Sequence, residues 1–261
     1  MPDNTTEFTK SNIDLYFKEL SKEYKKIGGR NTPVEIVLIG GAAIIENYCF
    51  RNMTTDIDAI IPSMGIMKEA IKRVGDRLGL PNGWLNADFM KTSSYSSNLS
   101  AFSKPYKTFN QVLNVRYVTG EYLIAMKLKS GRQYKNDLSD IVGILAEHEK
   151  QERPITKAAI SKAVTDLYGG WDEIGEKSVA FIDAVLDNQR YGEIYAAIRE
   201  SEQNTKSVLV AFQDKYSVVL NEKNVDSIIE NADKKSESKA SVRETLELLK
   251  KQQAMKNPKN E

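Results

Sequence analysis

The chain has little of what covalently braced or thiolate-bound proteins depend on. It contains one cysteine, Cys49, which rules out an intramolecular disulfide and any cysteine-rich zinc site and suits a reducing compartment. Its one histidine, His148, would have to serve any imidazole-centred triad alone, and nothing around it or Cys49 suggests a nucleophile–base pair. Charge of one sign is also missing: 37 basic residues face 36 acidic ones, so no global field recruits nucleic acid or an anionic membrane. No stretch approaches the roughly 20 apolar residues of a bilayer span, and the opening MPDNTTEFTK lacks the basic and apolar regions of a secretory signal. A cytoplasmic location with no membrane partner is expected.

What is present suffices for a packed core, with 41% hydrophobic and 28% charged residues over 261 positions. Ile13, Phe17, Leu20, Tyr24 and Ile27 recur at steps of three and four, which predicts an amphipathic helix over 11–27, stopped by Gly28-Gly29. After Pro33 the β-branched run Val34 to Ile39 predicts a buried strand that ends at Gly40-Gly41, followed by a short helix from Ala42 to Tyr48. A second strand is expected from Thr55 to Ile61 and a helix from Met64 to Leu78. Residues 79–107 show no clear period and carry scattered aromatics, the pattern of a functional rim or lid. A strand over Phe109 to Val118 and helices over 121–130 and 137–147 complete this part.

Beyond Pro154 the apolar spacing is helical throughout, including Ile160, Val164 and Leu167, then Phe181, Ile182 and Val185. Asn231 to Lys239 reads as a solvated linker, and Ser241 to Glu244 has the capping-box pattern that opens a last helix.

On a strand, residues two apart face the same side, so Asp56 and Asp58 are expected to present both carboxylates together while Ile57 and Ala59 turn inward. Two acids on one face repel unless a cation or solvent compensates them. An exposed strand face, or a loop, would give the same pair. The apolar strand that ends in Gly40-Gly41 and opens into a helix adds a second feature, because it offers close backbone approach and free amide groups where phosphate can sit.

The run LIGGAAIIENYCFRNMTTDIDAII, with Gly40, Gly41, Thr54, Asp56 and Asp58, resembles the polymerase-β-like nucleotidyltransferase superfamily. There a Gly-Gly or Gly-Ser turn and a helix precede Thr-x-Asp-x-Asp on a strand. A second block from Gly120 to Ile141 looks like that superfamily's later helix pair. Within it, the likeness is to bacterial nucleotidyltransferase-like proteins of unassigned substrate and, more distantly, to AbiEii-type toxins of toxin–antitoxin systems.

The resemblance implies an α+β fold with a small mixed sheet and flanking helices, followed by an α-helical domain. It implies transfer of a nucleoside monophosphate from a nucleoside triphosphate to a tRNA, protein or small-molecule acceptor, with Mg²⁺ or Mn²⁺ as cofactor and an antitoxin as a possible partner. Asp56 and Asp58 would be metal ligands; Gly40, Gly41, Thr54 and Lys127 would meet the nucleotide. Relatives add a third carboxylate, for which Asp88 is the candidate, although an Asx-turn would equally explain it.

Lys127, Arg132 and Lys135 do not share a face of one continuous helix, being about 140° and 80° apart in rotation, unless the chain bends near Gly131. An ion-paired surface is the other reading of that set. Trp84, Tyr95 and Tyr106 would either stack on a base or fasten the long segment to the core. The change from mixed to helical spacing predicts two separable units, 1–150 and 155–261. Limited proteolysis should therefore cut first near Lys150 to Arg153, and early cleavage inside the strands around Ile36 or Ile57 would overturn that division.

Overall fold

The computed structural model describes residues 6–61, 65–132 and 135–215, together with Val225 and Ile229. The linker expected at Asn231 to Lys239 and the helix expected from Ser241 lie outside the described residues. By its internal contacts the chain divides into two compact units, Met1–Met126 with Ala158–Gly170, and Lys127–Lys157 with Trp171–Glu261.

The first unit is built on a five-stranded mixed sheet of order β3-β2-β1-β5-β4. Its strands are β1 (Val34–Leu38), β2 (Ile57–Ile60), β3 (Leu85–Asn86), β4 (Ser103–Phe109) and β5 (Leu113–Val118). β1 runs parallel to β5 and antiparallel to β2, and β2 runs parallel to β3. Helix α1 (Lys10–Lys26) buries Ile13, Phe17, Leu20 and Tyr24, the predicted stripe. The Asn12 side chain closes its first turn by accepting from the Thr9 N–H at 2.8 Å.

Helix α3 (Gly65–Leu78) lies beside α1 and buries Met67, Ala70, Ile71 and Val74. Arg77 links the two helices by donating to Glu19 at 3.0 Å and to Glu23 at 3.1 Å. Helix α2 (Gly40–Asn47) connects β1 to β2.

Two sequence expectations need correction here. The strand expected at Thr55 to Ile61 spans only Ile57–Ile60, because Thr54 is engaged in a separate backbone bridge with Phe8 and a bend follows it. The strand expected from Phe109 to Val118 is the second arm of a hairpin. β4 already begins at Ser103, and Asn110 and Gln111 turn the chain at φ +48° and +62°. Asn-Gln lacks the glycine that signals such a turn in sequence, although asparagine tolerates the left-handed region.

Helix α4 (Gly120–Ser130) ends at Gly131, whose φ of +59° and N–H bond to the Lys127 carbonyl at 2.8 Å form a left-handed helix stop. The second unit then takes in α5 (Asp137–Lys150), α7 (Glu176–Asn188) and α8 (Tyr191–Lys215), while most of α6 (Lys157–Tyr168) belongs to the first. α8 packs on α5, and its Glu202 carboxylate accepts from the Ser139 N–H at 3.1 Å in the first turn of α5. Arg199, one turn earlier, donates to the Asn136 side chain at 2.8 Å.

Glu202 is 3% exposed, and its second oxygen has no hydrogen-bond partner. Burial holds its carboxyl up at about 7, and the neighbouring Asp140 charge adds to this, against the opposing pull of Ser139 and Arg199. A carboxyl with a raised folded-state pKa stabilises the fold fully at acidic pH and loses that contribution as pH rises through about 7. Between pH 5.5 and 8.5 the wild type should thus lose on the order of 2 kcal/mol more than Glu202→Gln, which keeps an acceptor for Ser139 without titrating. Urea unfolding of both proteins at the two pH values checks this, and parallel pH dependences would remove Glu202 as the cause.

Candidate active site

Because β1 and β2 are antiparallel neighbours, the end of β1 lies beside the start of β2. The Ile39 N–H donates to the Asp58 carbonyl at 3.1 Å across this join. The next residue, Gly40, stands at φ +55° and begins α2. A Cβ built on Gly40 would lie 3.3 Å from the Asp58 carboxylate, and one on Gly41 would lie 2.5 Å from Thr54 Oγ1 and 2.9 Å from Arg51 Nη2. Both positions are therefore closed to a side chain: Gly40 by its conformation and the neighbouring acid, Gly41 by the packed Thr54 hydroxyl. The first-turn amides of α2 have no intrahelical acceptors and carry the positive end of the helix dipole.

Thr54 is 3% exposed. Its backbone exchanges two hydrogen bonds with Phe8, at 2.8 and 2.9 Å. Its hydroxyl accepts from Arg51 Nη2 at 3.5 Å and donates to Asp56 Oδ1 at 3.4 Å, both long contacts. Arg51 is also held through its Nε–H, which donates to the Met53 carbonyl at 3.1 Å. Asp58 abuts Gly40, and Asp56 is joined through Thr54 to Gly41, so Gly40, Gly41, Thr54, Asp56 and Asp58 form one cluster. Asp56 stands in the bend before β2, so its proximity comes from Thr54 and not from strand alternation, as the sequence had suggested.

Directly across from Asp58 on β3 stands Asn86. Its side chain accepts from the Asp88 N–H at 2.9 Å, an Asx-turn that leads into a 3₁₀ helix at Asp88–Lys91. Asp88 there pairs with Lys91 at 2.7 Å, and its side chain is 75% exposed. Among the described residues, no three His, Cys, Asp or Glu side chains are grouped to hold a metal ion. Asp56 and Asp58 nevertheless supply the hard carboxylate oxygens that Mg²⁺ takes, and its shell is ordinarily completed by phosphate and water oxygens. On that donor chemistry and the glycine cradle, the cluster fits the ion.

Lys127 belongs to the second unit, where it is buried between Asp137 at 3.1 Å and Asp140 at 2.8 Å. The bend at Gly131 lets Arg132 reach the other oxygen of Asp137 at 3.0 Å. Burial by itself would raise the Asp137 carboxyl, but the Lys127 and Arg132 charges outweigh it and hold the group at about 2. Lys127 and Arg132 thus meet on one carboxylate, which their helical spacing alone did not allow.

Of the aromatics of the long segment, Trp84 and Tyr106 fasten it to the rest of the first unit, while Tyr95 packs within it. Trp84 is buried, donates from its ring N–H to the Ile71 carbonyl at 3.1 Å, and stacks on Phe8. Tyr95 packs edge-on against Phe89, and Tyr106 donates to Asp14 at 2.9 Å. His148 lies at the end of α5 with its ring beside the Arg153 carbonyl, and Cys49 is exposed. Among the described residues, no helix is long and apolar enough to cross a membrane.

Sequence reasoning had assigned no role to Arg51, Asn86 or Phe8. β3 is two residues long and leaves no period to read, and the bridge at Phe8 joins positions 46 apart in the chain.

No curated protein and no solved structure matches the chain. The profile of a family described as nucleotidyltransferase of unknown function (DUF6036) matches residues 16–147, just over half of the chain, including the glycine turn, the Asp pair and the Lys127 block. The chain belongs to that nucleotidyltransferase family.

Proposed function

We propose that the chain transfers a nucleoside monophosphate from a nucleoside triphosphate to an acceptor, using a divalent cation held by Asp56 and Asp58. The observation that carries this reading is the closeness of the Gly40-Gly41 turn to the Asp58 carboxylate and to Thr54, whose hydroxyl reaches Asp56. In the reaction the acceptor oxygen bonds to the α-phosphorus, pyrophosphate leaves, and the acceptor proton passes to solvent or a base. Such a step needs its charges neutralised and its atoms aligned more than it needs covalent help from the protein. Mg²⁺, when bound, would neutralise phosphate oxygens and lower the pKa of the attacking group.

The α2 amides would receive phosphate oxygens, with Gly40 and Gly41 allowing close approach. Asp56 and Asp58 would fix the cation beside them. Asp88 is proposed as a third acid on the strength of the family resemblance, and Lys127 as a phosphate contact on the same ground. The acceptor is proposed to be a tRNA, a protein or a small molecule; the near balance of charge disfavours extended RNA contact. A role as the toxin of a toxin–antitoxin pair is part of the proposal.

A second reading, nucleotide binding without transfer, is favoured by one observation: the residue opposite Asp58 is the amide Asn86, while Asp88 is exposed and paired with Lys91. Melting curves with each of the four triphosphates and Mg²⁺ or Mn²⁺, followed by incubation of labelled nucleotides with total RNA and lysate, separate the two. Transfer requires a shift in midpoint and label in a product; a shift without label supports binding alone. No shift with any triphosphate at millimolar concentration would sink both.

Asp58→Asn should leave the apo protein as stable as wild type, or slightly more stable, by relieving repulsion within the acid pair. It should slow transfer by on the order of 10²–10⁴-fold. A large fall in the apo urea midpoint would instead make Asp58 a structural carboxylate. Gly41→Ala, whose Cβ would meet Thr54 Oγ1 at 2.5 Å, should cost roughly 1–3 kcal/mol and also weaken the nucleotide shift.

A further inference from the structure

We infer that Thr54 is a positioning residue for Asp56, clamped from the N-terminal side by Phe8, and not a nucleotide contact. The inference rests on the nucleotidyltransferase reading of the acid pair.

Thr54 is 3% exposed, and its hydroxyl lies 2.5 Å from where a Cβ on Gly41 would stand, so little of it is open to a ligand. What its hydroxyl does reach is protein: Arg51 on one side and Asp56 on the other. A hydroxyl has one proton and two lone pairs, so it can accept from the guanidinium while donating to the carboxylate. That orients the carboxylate as outer-shell partners orient metal ligands elsewhere.

Asp56 has no strand to hold it, because β2 starts at Ile57. The fixed points on either side of it are the two Phe8 hydrogen bonds at Thr54 and the bond from the Ile57 N–H to the Trp84 carbonyl at 2.9 Å. The Phe8 ring is fully buried, lies 6.3 Å from the Trp84 ring and meets Tyr16 edge-on. One aromatic cluster therefore anchors both ends of the Asp56 bend. Phe8 precedes the stretch that the family profile matches, while Thr54 lies inside it, so the clamp joins the matched part to what comes before it.

The test uses the full-length protein with Mn²⁺ as probe and no nucleotide, with free ion counted by electron paramagnetic resonance. Thr54→Val keeps the shape and removes the hydroxyl; Thr54→Ser keeps the hydroxyl. Thr54→Val should weaken Mn²⁺ binding by about tenfold or more, and Thr54→Ser should restore it. In the metal-free proteins, amide exchange over residues 55–58 should be faster in Thr54→Val than in Thr54→Ser, with melting midpoints alike.

Equal Mn²⁺ affinity in Thr54→Val and wild type overturns the inference while the acid-pair reading stands. A loss of triphosphate binding without metal, with Mn²⁺ binding intact, would instead make Thr54 a nucleotide contact. If wild type and Asp58→Asn both fail to bind Mn²⁺, the reading falls and the inference with it. Should Thr54→Val not fold, Phe8→Leu reports on the clamp: faster exchange over 55–58 and a several-fold loss of Mn²⁺ affinity are expected, and no change in either overturns it.

Discussion

The antiparallel pairing of β1 with β2 is the constraint from which the site follows. A chain that leaves β1, makes the eight-residue helix α2 and returns antiparallel must bring the start of β2 back to the point where β1 ended. The turn into α2 and the entry to β2 are therefore neighbours whatever their side chains are. With glycine at 40 and 41 and aspartate at 56 and 58, that geometric necessity puts the first turn of α2 beside the Asp58 carboxylate and, through Thr54, near Asp56. The two features have opposite electrostatic character, and the proposed phosphate–cation ligand would satisfy both at once.

Much of this arrangement was legible in the sequence because it is local. The stripe of α1, the β-branched run of β1 and the glycine stop each express a short period or a single conformational demand. Gly40 needs a positive φ, and the chain shows that need as a glycine. The parts that were not legible depend on partners far away in the chain. β3 is only a two-residue pairing, and its contribution opposite Asp58 comes from register. The hairpin after β4 turns on Asn110 and Gln111, residues that adopt positive φ because the flanking strands demand it. The placement of Asp56 depends on Phe8, and no spacing rule links residue 8 to residue 54.

The Lys127 block shows the same limit from the other direction. As a helical projection, Lys127 and Arg132 diverge, and only the left-handed stop at Gly131 folds the chain back so that both meet Asp137. A lysine this deeply buried is tolerable only because carboxylates accept its charge, and removing both Asp137 and Asp140 would leave an uncompensated ion at a cost of roughly 3–5 kcal/mol. The charges at 127, 137 and 140 thus have a demonstrable task within their own unit. A role for Lys127 toward phosphate would have to be compatible with those two ion pairs.

The position of Asn86 bears on what chemistry the first unit can run. A carboxylate opposite Asp58 would place three acids around one point, a set that repels itself strongly unless cations are present. An amide there lowers that repulsion and still offers a carbonyl oxygen, but Asn86 uses this oxygen to accept from the Asp88 N–H and so to shape the turn that follows. The position opposite Asp58 is thus committed to shaping the turn that carries Asp88. In the proposed site Asp56 and Asp58 carry the protein's share of the cation's shell, and oxygens brought by the nucleotide would tighten that hold further. Precise orientation of the two aspartates then matters more, and the fold concentrates its local fixings there: the Ile39 N–H bond to the Asp58 carbonyl, and the Thr54 hydroxyl and Phe8 bridge on the bend that carries Asp56.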